Sequence, residues 1–190
     1  MELTSSEAEA LVRARNGDAA AFGLLVQSHQ EAAFRAAYLI LRDTQAAEDI
    51  AQDGFVRAYR QLYRFREEDP FRPWLLRIVT NLALNETRRR KRGLAMLERF
   101  GRLVPRLAPG PERIAAASEQ SQDVADAINR LPDDDRVILY LRYFLELSEA
   151  EMAQAIGKPA GTVKSRLHRA GRRLRDLIEK EYSHLRLPDD

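Results

Sequence analysis

The sequence predicts an all-α protein: two small helical domains joined by an extended linker. Apolar residues recur at steps of three and four through nearly every segment, and almost no stretch alternates with period two. Between Gly93 and Ser121 the amphipathic pattern loosens, and "GRLVPRLAPGPERIAAA" alone carries three prolines and two glycines. These observations set residues 1–93 and 122–190 apart as domains and 94–121 as the linker. Leu94, Leu97, Phe100, Leu103, Val104 and Leu107 make that linker more apolar than a free tether, so it is expected to lie against something.

Taken in order, Ser6 with Glu9 is suited to cap a first helix running to Arg15, and Asn16-Gly17-Asp18 reads as a stop followed by a new N-cap. An apolar-rich helix then continues to about Leu41. Thr44 can cap the next, in which Ala47, Ile50, Ala51, Gly54, Phe55, Ala58 and Leu62 keep helical spacing. Asp53-Gly54 is a hairpin-turn pair, but no alternating strands flank it, so it stays inside the helix. "REEDPFRP" reads as a loop by its charge and two prolines. The helix after it places Trp74, Leu75, Ile78, Val79 and Leu82 inward and ends in five consecutive basic residues, Arg88 to Arg92.

Helical pattern resumes at Asp123 with Val124, Ala127, Ile128 and Leu131, and halts at Pro132. Asp133, Asp134 and Asp135 then begin a helix, where carboxylates favour the positive end of the dipole. Ser148 and Glu151 have capping-box spacing and open a short helix with Met152, Ala153 and Ile156 on its buried side. Gly157 can close it in a left-handed conformation, and Pro159 suits the start of another helix. In that helix Val163, Leu167, Ala170, Leu174 and Leu177 form one stripe, while Lys164, Ser165, His168, Arg169, Arg172 and Arg175 project elsewhere. Residues 157–175 contain seven Lys or Arg and no carboxylate. A helix, a tight turn and a basic helix in this spacing match a helix-turn-helix, with DNA phosphates relieving the repulsion; a purely structural hairpin is the alternative.

The net charge of the 190-residue chain is only +2, so clustering of charge carries the argument, not its sum. With no Cys there is neither a disulfide framework nor a thiolate metal site. No apolar run approaches the roughly 20 residues that span a bilayer, and "MELTSSEAEA" is acidic, unlike a signal-peptide leader, so a soluble intracellular protein without membrane insertion is expected. His29, His168 and His184 lack metal-ligand spacing and no glycine-rich phosphate loop occurs, which argues against an enzyme, a metal or a cofactor.

Three stretches in this order, "AAEDIAQDGFVRAYRQLYRFR", "FRPWLLRIVTNLALNETRRRKR" and "LPDDDRVILYLRYFLELSEAEMAQAIGKPAGTVKSRLHRAGRRLR", resemble a bacterial sigma factor of the extracytoplasmic-function type, in the sigma-70 family. The resemblance covers most of the chain. It implies sigma domain 2 over 1–93, a linker, and sigma domain 4 over 122–190. The expected activity is that of an alternative sigma factor: binding core RNA polymerase, directing it to promoter DNA through −35 and −10 elements, and opening the −10 DNA. It further implies a cytoplasmic bacterial protein, nucleoid-associated during initiation, monomeric when free and restrained by an anti-sigma factor.

Site residues follow from the same resemblance. Asp49, Gln52 and Phe55, three apart on one helix, would grip the clamp helices of the polymerase's largest subunit; Phe55 also fits a core position. A flipped −10 base needs apolar walls and edge contacts, for which Phe65, Phe71 and Trp74, and Asn81 and Asn85, are candidates. Trp74 also suits packing beneath the loop. The run Arg88 to Arg92, with Arg88 and Arg89 among the DNA-binding candidates, fits phosphate contacts or a solvated tail. In the last helix Lys164, Ser165, His168 and Arg169 take base-edge and nearby phosphate positions, and Arg166, Arg172 and Arg173 take phosphates. Two rival classes stay open: a dimeric free-standing regulator, and an adaptor whose basic face binds acidic proteins.

Overall fold

Asn16-Gly17-Asp18 sets the first corner of the chain. Gly17 adopts φ +93°, and the Asp18 carboxylate accepts a hydrogen bond from the Ala21 amide at 3.0 Å, ending α1 (Ser5–Arg15) and capping α2 (Ala19–Leu41). The computed structural model describes residues 5–66, 69–99, 119–182 and 184, and every regular element among them is helical. The chain divides into two compact units, residues 1–108 with 154–157 and residues 109–153 with 158–190.

In the N-terminal unit, Arg42 leaves α2 in the left-handed region at φ 57°. Asp43 then caps α3 (Thr44–Gln61) through the Ala46 amide at 3.1 Å, so the cap lies one residue before the expected Thr44. A 3-10 turn, Leu62–Arg64, follows. Helix α4 (Phe71–Arg99) starts earlier and ends later than the sequence suggested. Pro73 falls in its first turn, where the missing N–H would have had no partner. At the far end Gly93 costs about 1 kcal/mol relative to Ala, too little to stop a helix already under way. The expected linker is therefore helical to Arg99 and again from Glu119; Phe100, Leu103, Val104 and Leu107 lie outside the described residues.

Helix α2 packs against α1, α3 and α4, and α3 packs on α4, burying Leu25, Phe71, Leu75, Leu76 and Val79. A β-carbon at Gly54 would lie 2.6 Å from Cγ2 of Val79, which explains why Asp53-Gly54 sits within a helix: only a bare backbone fits against α4 there. Val79 is fully buried and stiff at χ1, so it yields poorly. Gly54→Val is expected to destabilise this unit by about 1–3 kcal/mol in urea unfolding, and adding Val79→Ala should recover part of the loss.

The C-terminal unit contains α5 (Glu119–Asn129), α6 (Asp133–Tyr143), the first part of α7 (Glu149–Ile156) and α8 (Ala160–Glu181). Helix α6 packs on α8, and α5 on both. The Tyr140 hydroxyl donates to Asn129 Oδ1 at 2.7 Å, satisfying a buried ring. Arg130 bonds to Glu181, and His184 Nε2 lies 2.7 Å from Asp123, tying the end of α8 to the α5 region. Among the described residues no helix is long and apolar enough to cross a membrane, and no cluster of potential metal ligands occurs.

Candidate nucleic-acid interface

The turn between α7 and α8 is built by local chemistry. Glu151 accepts from the Ser148 amide at 2.8 Å while the Glu151 amide donates to Ser148 Oγ at 3.2 Å, a reciprocal capping box that starts α7. Gly157 closes it at φ 67°, and the Pro159 carbonyl accepts from Thr162 and Val163 to open α8. Met152 and Ala155 are buried in α7, with Ala153 and Ile156 only half so. On α8, Val163 and Ala170 are buried and Leu167, Leu174 and Leu177 half-buried.

Opposite that seam, Lys164, Ser165, His168, Arg169, Arg172 and Arg175 are all exposed. Of these, the four Lys and Arg side chains form no ion pair with any described residue. Arg166 and Arg173 behave differently. Arg166 is half-buried and lies 3.2 Å from Asp134; Arg173 donates to Asp135, which is only 6% exposed. The expectation that both chiefly touch phosphates did not allow for these partners, 32 and 38 residues earlier in the chain by their numbers.

In the N-terminal unit, Arg77, Asn81, Asn85, Arg88 and Arg92 are exposed at steps of three and four along α4, forming one polar strip. Arg88 Nη1 lies 3.4 Å from Asn85 Oδ1. Trp74, half-buried, stands at the head of the strip with its ring 5.2 Å from Phe65 and 5.7 Å from Phe71. Phe65 and Phe71 themselves are buried, so of the three expected walls only Trp74 keeps accessible ring surface. Arg89 and Arg90 both bond to Glu86, and Arg90 also reaches Asp43 at 3.1 Å.

On α3, Asp49 and Gln52 are exposed but Phe55 is buried. Each three-residue step drifts about 60° around a helix, so Phe55 sits about 120° from Asp49, whereas a seven-residue step drifts only about 20°. Val56 is accordingly the apolar neighbour on the outer face, followed by Tyr59 and Tyr63.

The Sigma-70 region 2 family matches residues 25–93 and the Sigma-70 region 4 family residues 121–174. The ECF RNA polymerase sigma factor SigW of Bacillus subtilis is 33% identical over 175 residues, covering 86% of this chain and 92% of its own length. The chain belongs to the sigma-70 family, as a sigma factor of the extracytoplasmic-function type. The RNA polymerase sigma-H factor of Pseudomonas aeruginosa is 36% identical over 187 residues, with 94% of this chain and 95% of that one covered. The sigma factor RpoE of Bartonella quintana, solved with the anti-sigma factor NepR, superposes with a TM-score of 0.64 at 26% identity over 84% of this chain and 98% of that one. This sigma factor is thus a promoter-directed transcription initiation factor, with its two family regions in its two helical units.

Arg77, Val56, Tyr59 and Tyr63 are surface residues of this sigma factor that motif reading passed over. The signal that finds them is strict angular bookkeeping along α3 and α4. The basic run also divides: Arg88 and Arg92 face outward on the strip, while Arg89 and Arg90 are drawn to Glu86. Their guanidinium hydrogen bonds, that of Arg89 foremost, hold the Glu86 carboxyl at about 2, below its ordinary 4.5. A depressed carboxyl stabilises the fold fully above pH 4.5 and loses that contribution as pH falls toward about 2. Glu86→Gln is expected to cost about 1 kcal/mol at neutral pH in urea unfolding, with the difference from wild type shrinking below pH 4.5.

Proposed function

We propose that the outer face of α8 reads the −35 element, that the strip on α4 with Trp74 engages the opened −10 strand, and that the exposed face of α3 docks on the clamp helices of core polymerase. The observation that carries this reading is the row of unpaired cations on α8: Lys164, Arg169 and Arg172 stand clear of every described carboxylate on a helix whose opposite side is packed. Lys164 and Arg169 suit guanine O6 and N7, Ser165 is permissive, and His168 adds a ring that sets the preferred sequence. Arg172 and Arg175 fit phosphates, which fix register without reading bases.

On α4, Asn81 and Asn85 offer amides for a base edge and Arg77, Arg88 and Arg92 offer charge for the backbone, with the exposed side of Trp74 for stacking. On α3 and the turn after it, Asp49, Gln52, Val56 and Tyr63 combine charge, amide and apolar surface, as a helix-docking face requires. The chain supplies address and strand opening in the bacterial cytoplasm, at the nucleoid, and core polymerase holds the catalysis. The anti-sigma complex of the Bartonella relative supports an anti-sigma partner for this chain too.

Gel filtration tests the assembly. The chain alone should elute as a monomer and shift to co-elute with core polymerase, and Asp49→Ala should weaken that association about tenfold while leaving duplex affinity unchanged. A dimer that ignores core polymerase would favour a free-standing regulator.

A further inference from the structure

Three consecutive carboxylates open α6, and each has an arginine. Asp133 lies 2.9 Å from Arg136 in its own helix, Asp134 lies 3.2 Å from Arg166, and Asp135 accepts from Arg173. Arg166 and Arg173 are seven residues apart, so they sit two turns from each other on nearly one line of α8. We infer that Asp134 and Asp135 are positioning residues for promoter reading: their ion pairs fix the roll of α8 about its own axis, and Arg166 and Arg173 serve the fold, not the phosphate backbone. This rests on α8 being the −35 reader.

The apolar seam alone holds that roll loosely. Val163 and Ala170 are its only fully buried residues, and both are small; Leu167, Leu174 and Leu177 are half-buried. A roll of about 20° moves a side-chain tip on a helix of about 5–6 Å outer radius by about 2 Å, enough to break a base-edge hydrogen bond. Two ion pairs on adjacent carboxylates, two turns apart, resist that rotation where aliphatic contacts slide. Asp135 is the stronger anchor because it is buried, and a buried carboxylate stripped of its cation is strongly unfavourable. A phosphate drawing Arg173 away would strand Asp135 in that state, so Arg173 stays where it is when DNA arrives.

The experiment uses the full chain assembled with core polymerase and two duplexes: one enriched by wild type from a randomised pool, and its scrambled counterpart. Asp135→Asn and Arg173→Ala should each lower the preference for the enriched duplex about tenfold, comparable to one mismatched base pair, with the log-log salt slope unchanged. The sign is diagnostic for Asp135→Asn, since removing a negative charge would by itself tighten binding to any DNA. The inference is overturned if Arg173→Ala lowers the slope by about 0.9, as loss of a phosphate contact does, or if Asp135→Asn tightens both duplexes. Should Asp135→Asn fail to fold, Asp134→Asn decides, because its carboxylate is exposed; an unchanged preference there overturns the inference. Wild type that enriches no duplex refutes the −35 reading and the positioning role with it, whereas enrichment with unaltered variants refutes only the latter.

Discussion

Phe71→Ala is expected to destabilise the N-terminal unit by about 3–5 kcal/mol, a large part of the stability of a domain this size. The ring is 0% exposed, and its neighbours are aromatic: His29 at 5.3 Å, Trp74 at 5.7 Å and Phe65 at 5.8 Å between centroids. Truncation removes the transfer energy of the ring and leaves a cavity under the start of α4, which three facing rings collapse into poorly. His29 is itself buried and bonds Glu7 of α1 at 2.8 Å, so the loss extends to the α1–α2 contact. Trp74 is the sole tryptophan, so its emission during urea unfolding reports this cluster directly. The variant should unfold at much lower urea. An unchanged midpoint, with only promoter opening impaired, would instead make Phe71 the base-facing wall that the loop chemistry first suggested.

Arg169→Ala is expected to weaken −35 recognition by about 1–3 kcal/mol, with little change on scrambled DNA. The residue is exposed on α8 beside Ser165 and His168, and no described carboxylate competes for its guanidinium. Base reading and phosphate contact separate cleanly here. A bidentate guanine contact vanishes only on the cognate sequence, whereas a phosphate contact is lost on every sequence and carries its share of the salt slope. Quantitative binding by the assembled holoenzyme across a salt series distinguishes the two. Equal weakening on all sequences would remove Arg169 from the reading face and leave Lys164, Ser165 and His168 to carry it.

Where structure is decided by neighbours in sequence, the chain was readable. Ser148 and Glu151, Gly157 and Pro159 each act within one turn, and the α7–α8 corner came out as their chemistry requires. The Asn16-Gly17-Asp18 corner is the same case. Where two residues compete for one role the reading slipped by a residue: Asp43 and Thr44 are both good N-caps, and only the path of the backbone selects Asp43. Helix α4 overran its expected limits at both ends because Pro73 and Gly93 are weak breakers in those positions, harmless in a first turn and inexpensive in a long helix.

The candidate site was legible as faces and less so as residues. Phe55 satisfied both the inward stripe and the row containing Asp49 and Gln52; packing against α2 and α4 assigned it inward, and Val56 took the outer place. Phe65 and Phe71 had the chemistry of a base pocket, but the same chemistry makes a core, and burial decided for the core. The ion pairs of Arg166 and Arg173 depend on folding α6 against α8, and no local pattern announces contacts between residues so far apart in the chain. The exposed row of Lys164, Ser165, His168, Arg169 and Arg172 needed only helical period, so it was legible from the start.

Run-off transcription with core polymerase and a library of randomised upstream sequences tests the central claim most directly. Initiation should depend on adding the chain, select templates sharing two separated sequence blocks, and lose selectivity at the upstream block alone with Arg169→Ala. Transcription that is independent of the chain, or equal from every template, would contradict it.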